Sequence, residues 1–139
     1  SHELSDATCT ALQLANFLQD VRRDYEKGRI YLPLEDMEWF GYSEEELRDG
    51  VVNEAFRRMM SFEVDRAVAL FKKGYALVDR VRGRYRLDIA LFTKGGLSVL
   101  EAIRAQNYDV LSKRPVVRTG RKIWLLALTA GRMTAGLRP

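Results

Sequence analysis

Apolar side chains recur along this chain at steps of three and four, the spacing that lays them along one face of a helix. The clearest run is Phe56, Met59, Met60, Val64, Val68 and Phe71, which predicts a long helix over 53–74 with room to continue to 81. A first helix is predicted over 5–27, with Ser5 as N-cap and Gly28 as its stop. Residues 29–33 read as a short extended link and 33–40 as a helical turn ended by Gly41. Ser43 followed by Glu46 forms a capping box for a short helix ending near Gly50. A further helix over 84–106 is expected to be interrupted or bent at Gly95-Gly96. A last one over 120–134 carries Ile123, Trp124, Leu125, Leu126 and Leu128. No segment alternates with the two-residue period of a strand, and there is no internal repeat. The expectation is an all-α chain, with residues 1–139 forming a single helical domain or fragment.

Composition narrows the chemistry. Hydrophobic residues at 47% and charged residues at 30% fit a soluble globular protein, and no run approaches the ~18 apolar residues of a membrane span. Cys9 is the only thiol, which excludes an internal disulfide and points to a reducing, cytoplasmic location. His2 is the only histidine, so His-based zinc sites and catalytic triads are excluded. The chain opens on Ser1 with no signal-peptide pattern, and Ser1-His2 reads as a tag remnant rather than a native start. Charge is uneven: residues 1–50 hold 12 of the 19 acids but 5 of the 23 bases, leaving a basic second half. That half suits an anionic membrane surface, nucleic acid, a phosphate-bearing substrate, or simply solvated helix faces.

On a helical wheel the first helix carries Gln13, Asn16, Asp20 and Asp24 within about one quarter of the circumference. Leu14, Phe17, Leu18 and Val21 flank that stripe, while Gln19, Arg22, Arg23 and Glu26 fall towards a solvated side. Asp20 with Arg23 and Asp24 with Lys27 could be ordinary helix pairs, worth ~0.2–0.5 kcal/mol each. Yet two aspartates four apart repel by a similar amount, and a bound cation offsets that. Magnesium is a hard ion that takes one or two protein carboxylates and completes its shell with water and phosphate oxygens. Asn16 can add an amide oxygen, and Arg29 can form a bidentate phosphate contact. The stripe is expected to face a groove. Every other acid lies in a capping run such as Glu44, Glu45 and Glu46 or stands alone among bases, so no second facing cluster is expected.

Residues 13–33, Gln-Leu-Ala-Asn-Phe-Leu-Gln-Asp-Val-Arg-Arg-Asp-Tyr-Glu-Lys-Gly-Arg-Ile-Tyr-Leu-Pro, resemble the second aspartate-rich signature of squalene and phytoene synthases. Residues 85–114, with Ala102-Ile103-Arg104 and Asn107-Tyr108-Asp109-Val110, resemble that family's penultimate helix and its exit. The resemblance covers nearly all of this chain but only the second half of a typical member. It implies a helical isoprenoid synthase fold, in which Mg2+ ions between two facing Asp-rich motifs bind prenyl diphosphates above an apolar cavity. Asp20 and Asp24 would be catalytic metal ligands assisted by Asn16. Gln13, Asn16, Arg29 and Tyr31 would line the diphosphate end. With the first motif absent, the chain alone is expected to be inactive. It would need its missing N-terminal half, or self-associate through the apolar faces that half would cover.

Phe17-Leu18-Gln19-Asp20 and Phe92-Thr93-Lys94-Gly95-Gly96 are most similar to the hopanoid-cluster, HpnC-type branch, which implies conversion of presqualene diphosphate and water to hydroxysqualene. The alternative is a phytoene or dehydrosqualene synthase-type prenyltransferase, acting on substrates such as farnesyl diphosphate. Two positions depart from carotenoid-type members: Gln19 where they often have arginine, and Gly96 where they have tyrosine. No dinucleotide signature is present, which favours a reaction without NADPH.

Tyr25, Trp39, Phe40 and Tyr42 have rings that can face a carbocation, although core packing explains them as well. Met59-Met60 reads as core filling, and Lys94-Gly95-Gly96 as close helix packing rather than a phosphate loop. The basic, apolar last helix suits a peripheral membrane contact. A function of another class, a non-catalytic basic helical module binding a membrane surface or partner, fits the composition too. Nucleic acid is disfavoured, because no stacking motif or known binding fold signature occurs.

Overall fold

The computed structural model describes residues 2–76 and 83–117. The last helix expected over 120–134 and any continuation of the long helix to 81 lie outside the described residues. Those described form six helices, α1 (His2–Gln19), α2 (Val21–Glu26), α3 (Leu34–Phe40), α4 (Glu44–Arg48), α5 (Glu54–Ala76) and α6 (Arg84–Ala105), and no strand.

The core is a three-helix packing of α1, α5 and α6, with α3 laid against α5. α1 buries Ala7, Ala11, Ala15 and Leu18, three of them small residues four apart. That seam lets the α5 backbone approach closely and receives the large side chains of the opposite face, Phe56, Met59, Met60, Val64 and Phe71, all fully buried. Each such side chain contributes roughly 1.5–3 kcal/mol on leaving water. α6 adds Leu100 and Ile103, and the segment after it adds Val110, Leu111 and Pro115.

Boundaries follow local chemistry. Ser43 and Glu46 form the expected capping box, with Glu46 N–H donating to Ser43 Oγ at 3.1 Å and Ser43 N–H to Glu46 Oε1 at 3.0 Å. Asn53 caps α5 by accepting Phe56 N–H on Oδ1 at 2.9 Å. α3 ends at Gly41 and α4 just before Gly50, both at positive φ as the sequence predicts.

Three expectations need correction. α1 begins at His2, with Ser5 inside it, because nothing in the first turn breaks a helix. α6 runs unbroken through Gly95 and Gly96. The helix expected over 5–27 lapses at Asp20, whose φ of −106° and ψ of 20° lie outside the helical well. Hydrogen bonds still bridge the lapse: Asp20 N–H donates to Asn16 O and Asp24 N–H to Asp20 O.

Gly96 shows why α6 needs glycine. A Cβ there would sit inside the Phe71 ring, 2.7 and 2.8 Å from two further ring carbons, and Phe71 is fully buried. The close-packing reading of the glycine pair thus holds at Gly96. Gly96→Ala is expected to destabilise the protein by about 1–2 kcal/mol, overpacking outweighing the helix-propensity gain of alanine. Urea unfolding checks this, and an unchanged midpoint would show that the Phe71 ring yields freely.

Candidate functional site

Where the helix lapses at Asp20, the candidate stripe changes surroundings. Gln13 and Asn16 on α1 are exposed, while Asp20 and, one turn on, Asp24 in α2 are half-buried. The turn after α2 then directs the chain back towards α1. Gly28 adopts φ of 76°, its N–H donates to Tyr25 O at 2.9 Å, and Arg29 N–H donates to Asp24 O at 2.8 Å. This paired closure of a helix end requires the left-handed residue that glycine supplies without strain. It also hydrogen-bonds the backbone of Arg29 directly to that of Asp24. Two residues later the Tyr31 ring lies flat on Phe17, centroids 4.3 Å apart and planes 7° from parallel. Phe17 follows Asn16 in α1, so the 29–33 link folds back beside the stripe. The fold brings all six predicted residues onto one short stretch of chain and its return; Arg29 is exposed and Tyr31 is 42% exposed.

Two further residues enter the site from far along the sequence. Arg114 Nε donates to Asp20 Oδ1 at 2.6 Å, and buried Gln19 donates through Nε2 to Pro115 O at 2.8 Å. Gln19, expected on the solvated side, is 8% exposed, because the segment after α6 covers it. Asp20 therefore pairs with Arg114, and the ion pair within α2 is Arg22 with Glu26 at 3.4 Å. Arg22 also donates to the carbonyls of Leu47 and Arg48 at the end of α4. No local pattern announces Arg114 or Gln19, since their partners lie more than ninety residues away.

The donor set suits a hard cation. Asp20 and Asp24 offer carboxylates one turn apart, and Asn16 is placed to add an amide oxygen. Among the described residues no three acids, histidines or cysteines gather into a metal-holding group. An ion held here would take the rest of its shell from water and phosphate. A cavity of about 630 Å³ lies elsewhere, against α5, with Phe40, Arg57, Ser61, Phe62 and Tyr108 in its wall.

The aromatic residues divide. Tyr42 is buried against Phe56 with its hydroxyl donating to Val51 O at 2.7 Å, and burial pushes its phenol pKa up. Tyr25 and Phe40 pack on the core, so packing accounts for these three; Trp39 is 84% exposed.

Comparison with known proteins shows the family. Residues 1–121 match the family model described as squalene/phytoene synthase. The chain belongs to this family. It is 43% identical over 119 residues to the 15-cis-phytoene synthase of Synechocystis sp., a match that covers 84% of this chain and 34% of that protein. The crystal structure of squalene synthase HpnC from Alicyclobacillus acidocaldarius superposes with a TM-score of 0.73 at 47% identity, over 76% of this chain and 40% of that one. A dehydrosqualene synthase solved in complex with ligand shares the fold at 24% identity, with a TM-score of 0.71 over 95% of this chain and 47% of that one. The architecture is the all-α isoprenoid synthase fold, and the chain spans about a third to a half of these relatives' length.

The turn at Gly28 yields the first test of the site. Gly28→Ala is expected to cost about 1–2 kcal/mol, because a side chain resists positive φ. Gly28→Asn is expected to cost less, since asparagine tolerates that region. Thermal unfolding of the two variants checks the order; equal stability of Gly28→Ala and wild type would mean that the turn does not hold Arg29 in place.

Proposed function

We propose that this chain is the C-terminal, metal-binding half of an enzyme that ionises a prenyl diphosphate in squalene-related or carotenoid-type isoprenoid synthesis. The observation that carries the proposal is the geometry of residues 13–33: two carboxylates one turn apart at a lapse in the helix, with Arg29 and Tyr31 folded back beside them. Magnesium, when bound, neutralises charge gathering on the departing diphosphate. Asp20 and Asp24 would hold the ion, and Asn16 would lend its amide oxygen. Arg29 meets phosphate oxygens with its planar guanidinium, and Gln13 donates from the next turn of α1. Tyr31, held flat by Phe17, sets the edge where the diphosphate gives way to the hydrocarbon. The facing carboxylate cluster comes from outside residues 1–139, from the remainder of the polypeptide or from a partner. Exposed Leu87 on α6, with half-buried Leu91 one turn on, supports such a partner surface.

Two finer readings share this machinery. In the first, presqualene diphosphate loses diphosphate with the C–O bonding electrons, and water adds to the carbocation and sheds a proton, giving hydroxysqualene. The similarity to squalene synthase HpnC and the residues 17–20 and 92–96 support it. In the second, two prenyl diphosphates are joined as in phytoene synthesis. The phytoene synthases among the relatives support that reading at least as well. A peripheral membrane contact suits either water-insoluble product.

The full-length protein, supplied with Mg2+ and presqualene, farnesyl or geranylgeranyl diphosphate in water enriched in heavy oxygen, separates them. A labelled alcohol from presqualene diphosphate supports the first; an unlabelled coupled hydrocarbon supports the second. Turnover of none of the three removes the proposal. Asp20→Asn and Asp24→Asn are each expected to lower kcat/KM by about a hundredfold or more, equivalent to roughly 3 kcal/mol of transition-state stabilisation. Full activity of both variants at limiting magnesium would remove the metal role.

A further inference from the structure

Glu63 interrupts the apolar face of α5. It lies between Met60 and Val64 on the buried side and is completely inaccessible to solvent. Arg66, one turn on, donates through Nη1 to Glu63 Oε1 at 3.0 Å and to Asp36 Oδ2 on α3, also at 3.0 Å. One guanidinium nitrogen thus holds both Asp36 and Glu63, whose second oxygen, Oε2, is buried and receives no donor. Isolated from one another along the sequence, these acids are brought together by the packing of α3 on α5. The Arg66 and Asp36 side chains are 51% and 20% exposed, but an ionised Glu63 would be a charge that solvent cannot reach, and two carboxylates sharing one guanidinium nitrogen have no hydrogen of their own to share.

We propose that Glu63 is protonated in the folded protein, and that this proton with Arg66 fastens α3 to α5 as a pH-sensitive latch. Protonated, the cluster is one acid, one carboxylate and one guanidinium, neutral in sum. The charged groups acting on Glu63 among the described residues are Asp36 from α3 and Arg66 from its own helix. α1 faces the interior with Ala7, Thr8, Ala11 and Ala15, and α6 with Thr93, Leu100 and Ile103, none of them charged. Burial pushes the Glu63 carboxyl up to about 7; the hydrogen bond with Asp36 pushes in the same direction and Arg66 opposes it. α3 also buries Met37 in the core, Phe40 tilts against Phe62 at 5.6 Å, and the Arg66 guanidinium sits 5.8 Å over the Phe62 ring. Neither ring can take over the charge balance of the pair, so the latch depends on the proton.

The direction with pH comes from linkage. Between the ordinary glutamate value of 4.5 and about 7 the folded protein binds a proton that the unfolded chain has released. The latch is therefore at full strength below 4.5, weakens as pH rises, and is lost through 7. α3 should protect its amides at pH 5.5 and exchange faster at pH 8.5, beyond the ordinary base catalysis of exchange.

Two measurements on the full-length protein test this. Carboxyl-carbon NMR of wild type is expected to show the Glu63 carboxyl taking up a proton near neutrality; a Glu63 carboxyl titrating below pH 5 would overturn the proposal. Glu63→Gln keeps the size and the donor but cannot ionise. It is expected to flatten the fall in thermal stability between pH 5.5 and 8.5, and to keep α3 amides protected at pH 8.5. A fall as steep in Glu63→Gln as in wild type would overturn the latch. If the variant fails to fold, the wild-type NMR titration decides alone.

Discussion

Everything at the site depends on how closely α1 can approach α5. Alanines at 7, 11 and 15 remove side-chain bulk from the contact face, so the seam is filled mainly by the large residues of α5, with Leu18 of α1 and Leu100 and Ile103 of α6. Packing at interior density leaves little freedom in that arrangement. Once the seam is set, the rotation of α1 about its axis is set, and with it the direction of the opposite stripe. Gln13 and Asn16 are exposed because Ala11, Ala15 and Leu18 are not. A larger residue in the seam would turn or lift the helix and carry the carboxylates with it.

The lapse at Asp20 adds a second constraint. An aspartate inside a regular helix is a poor helix former, and a second one a turn away repels it. Here the first of the pair sits where helical geometry fails, and its carboxylate is engaged by Arg114 at 2.6 Å. The negative charge that a divalent cation would use is thus held by a guanidinium on a different segment. The acidic first third and the basic remainder of the chain meet at this contact, which gives the charge asymmetry a local meaning.

Much of the fold was legible because it is written in short-range chemistry. The three- and four-residue spacing of Phe56, Met59, Met60, Val64 and Phe71 located α5 and its buried face. The Ser43–Glu46 box and the glycines at 28, 41 and 50 marked helix ends because their roles depend on near neighbours. Residues 13–33 carried the candidate site, being nearly contiguous and unusual in composition. What escaped was long-range. Gln19 looks like a surface residue until residue 115 covers it, and Arg114 looks like one more base in a basic tail. Glu63 stands alone among bases in the sequence, and only the placement of α3 brings Asp36 to the Arg66 that Glu63 shares with it. α6 runs through its glycines because Phe71 needs the space, which no propensity scale records.

The paired ties between 19–20 and 114–115 act as a measuring device. Adjacent residues on one segment are bonded to adjacent residues on another, so both ends of the connection from α6 are fixed in register. The path between begins at Asn107 and Tyr108, two non-glycine residues at positive φ, and closes on buried Val110 and Leu111. A connection built this way has no slack to absorb a change in length. Gaining or losing one residue between 107 and 114 would shift both ties together, withdrawing the guanidinium from Asp20 and uncovering Gln19. Surface loops ordinarily tolerate insertion and deletion over evolutionary time. This one should be read as a segment of fixed length, and substitutions within it should be far commoner among descendants of this chain than indels.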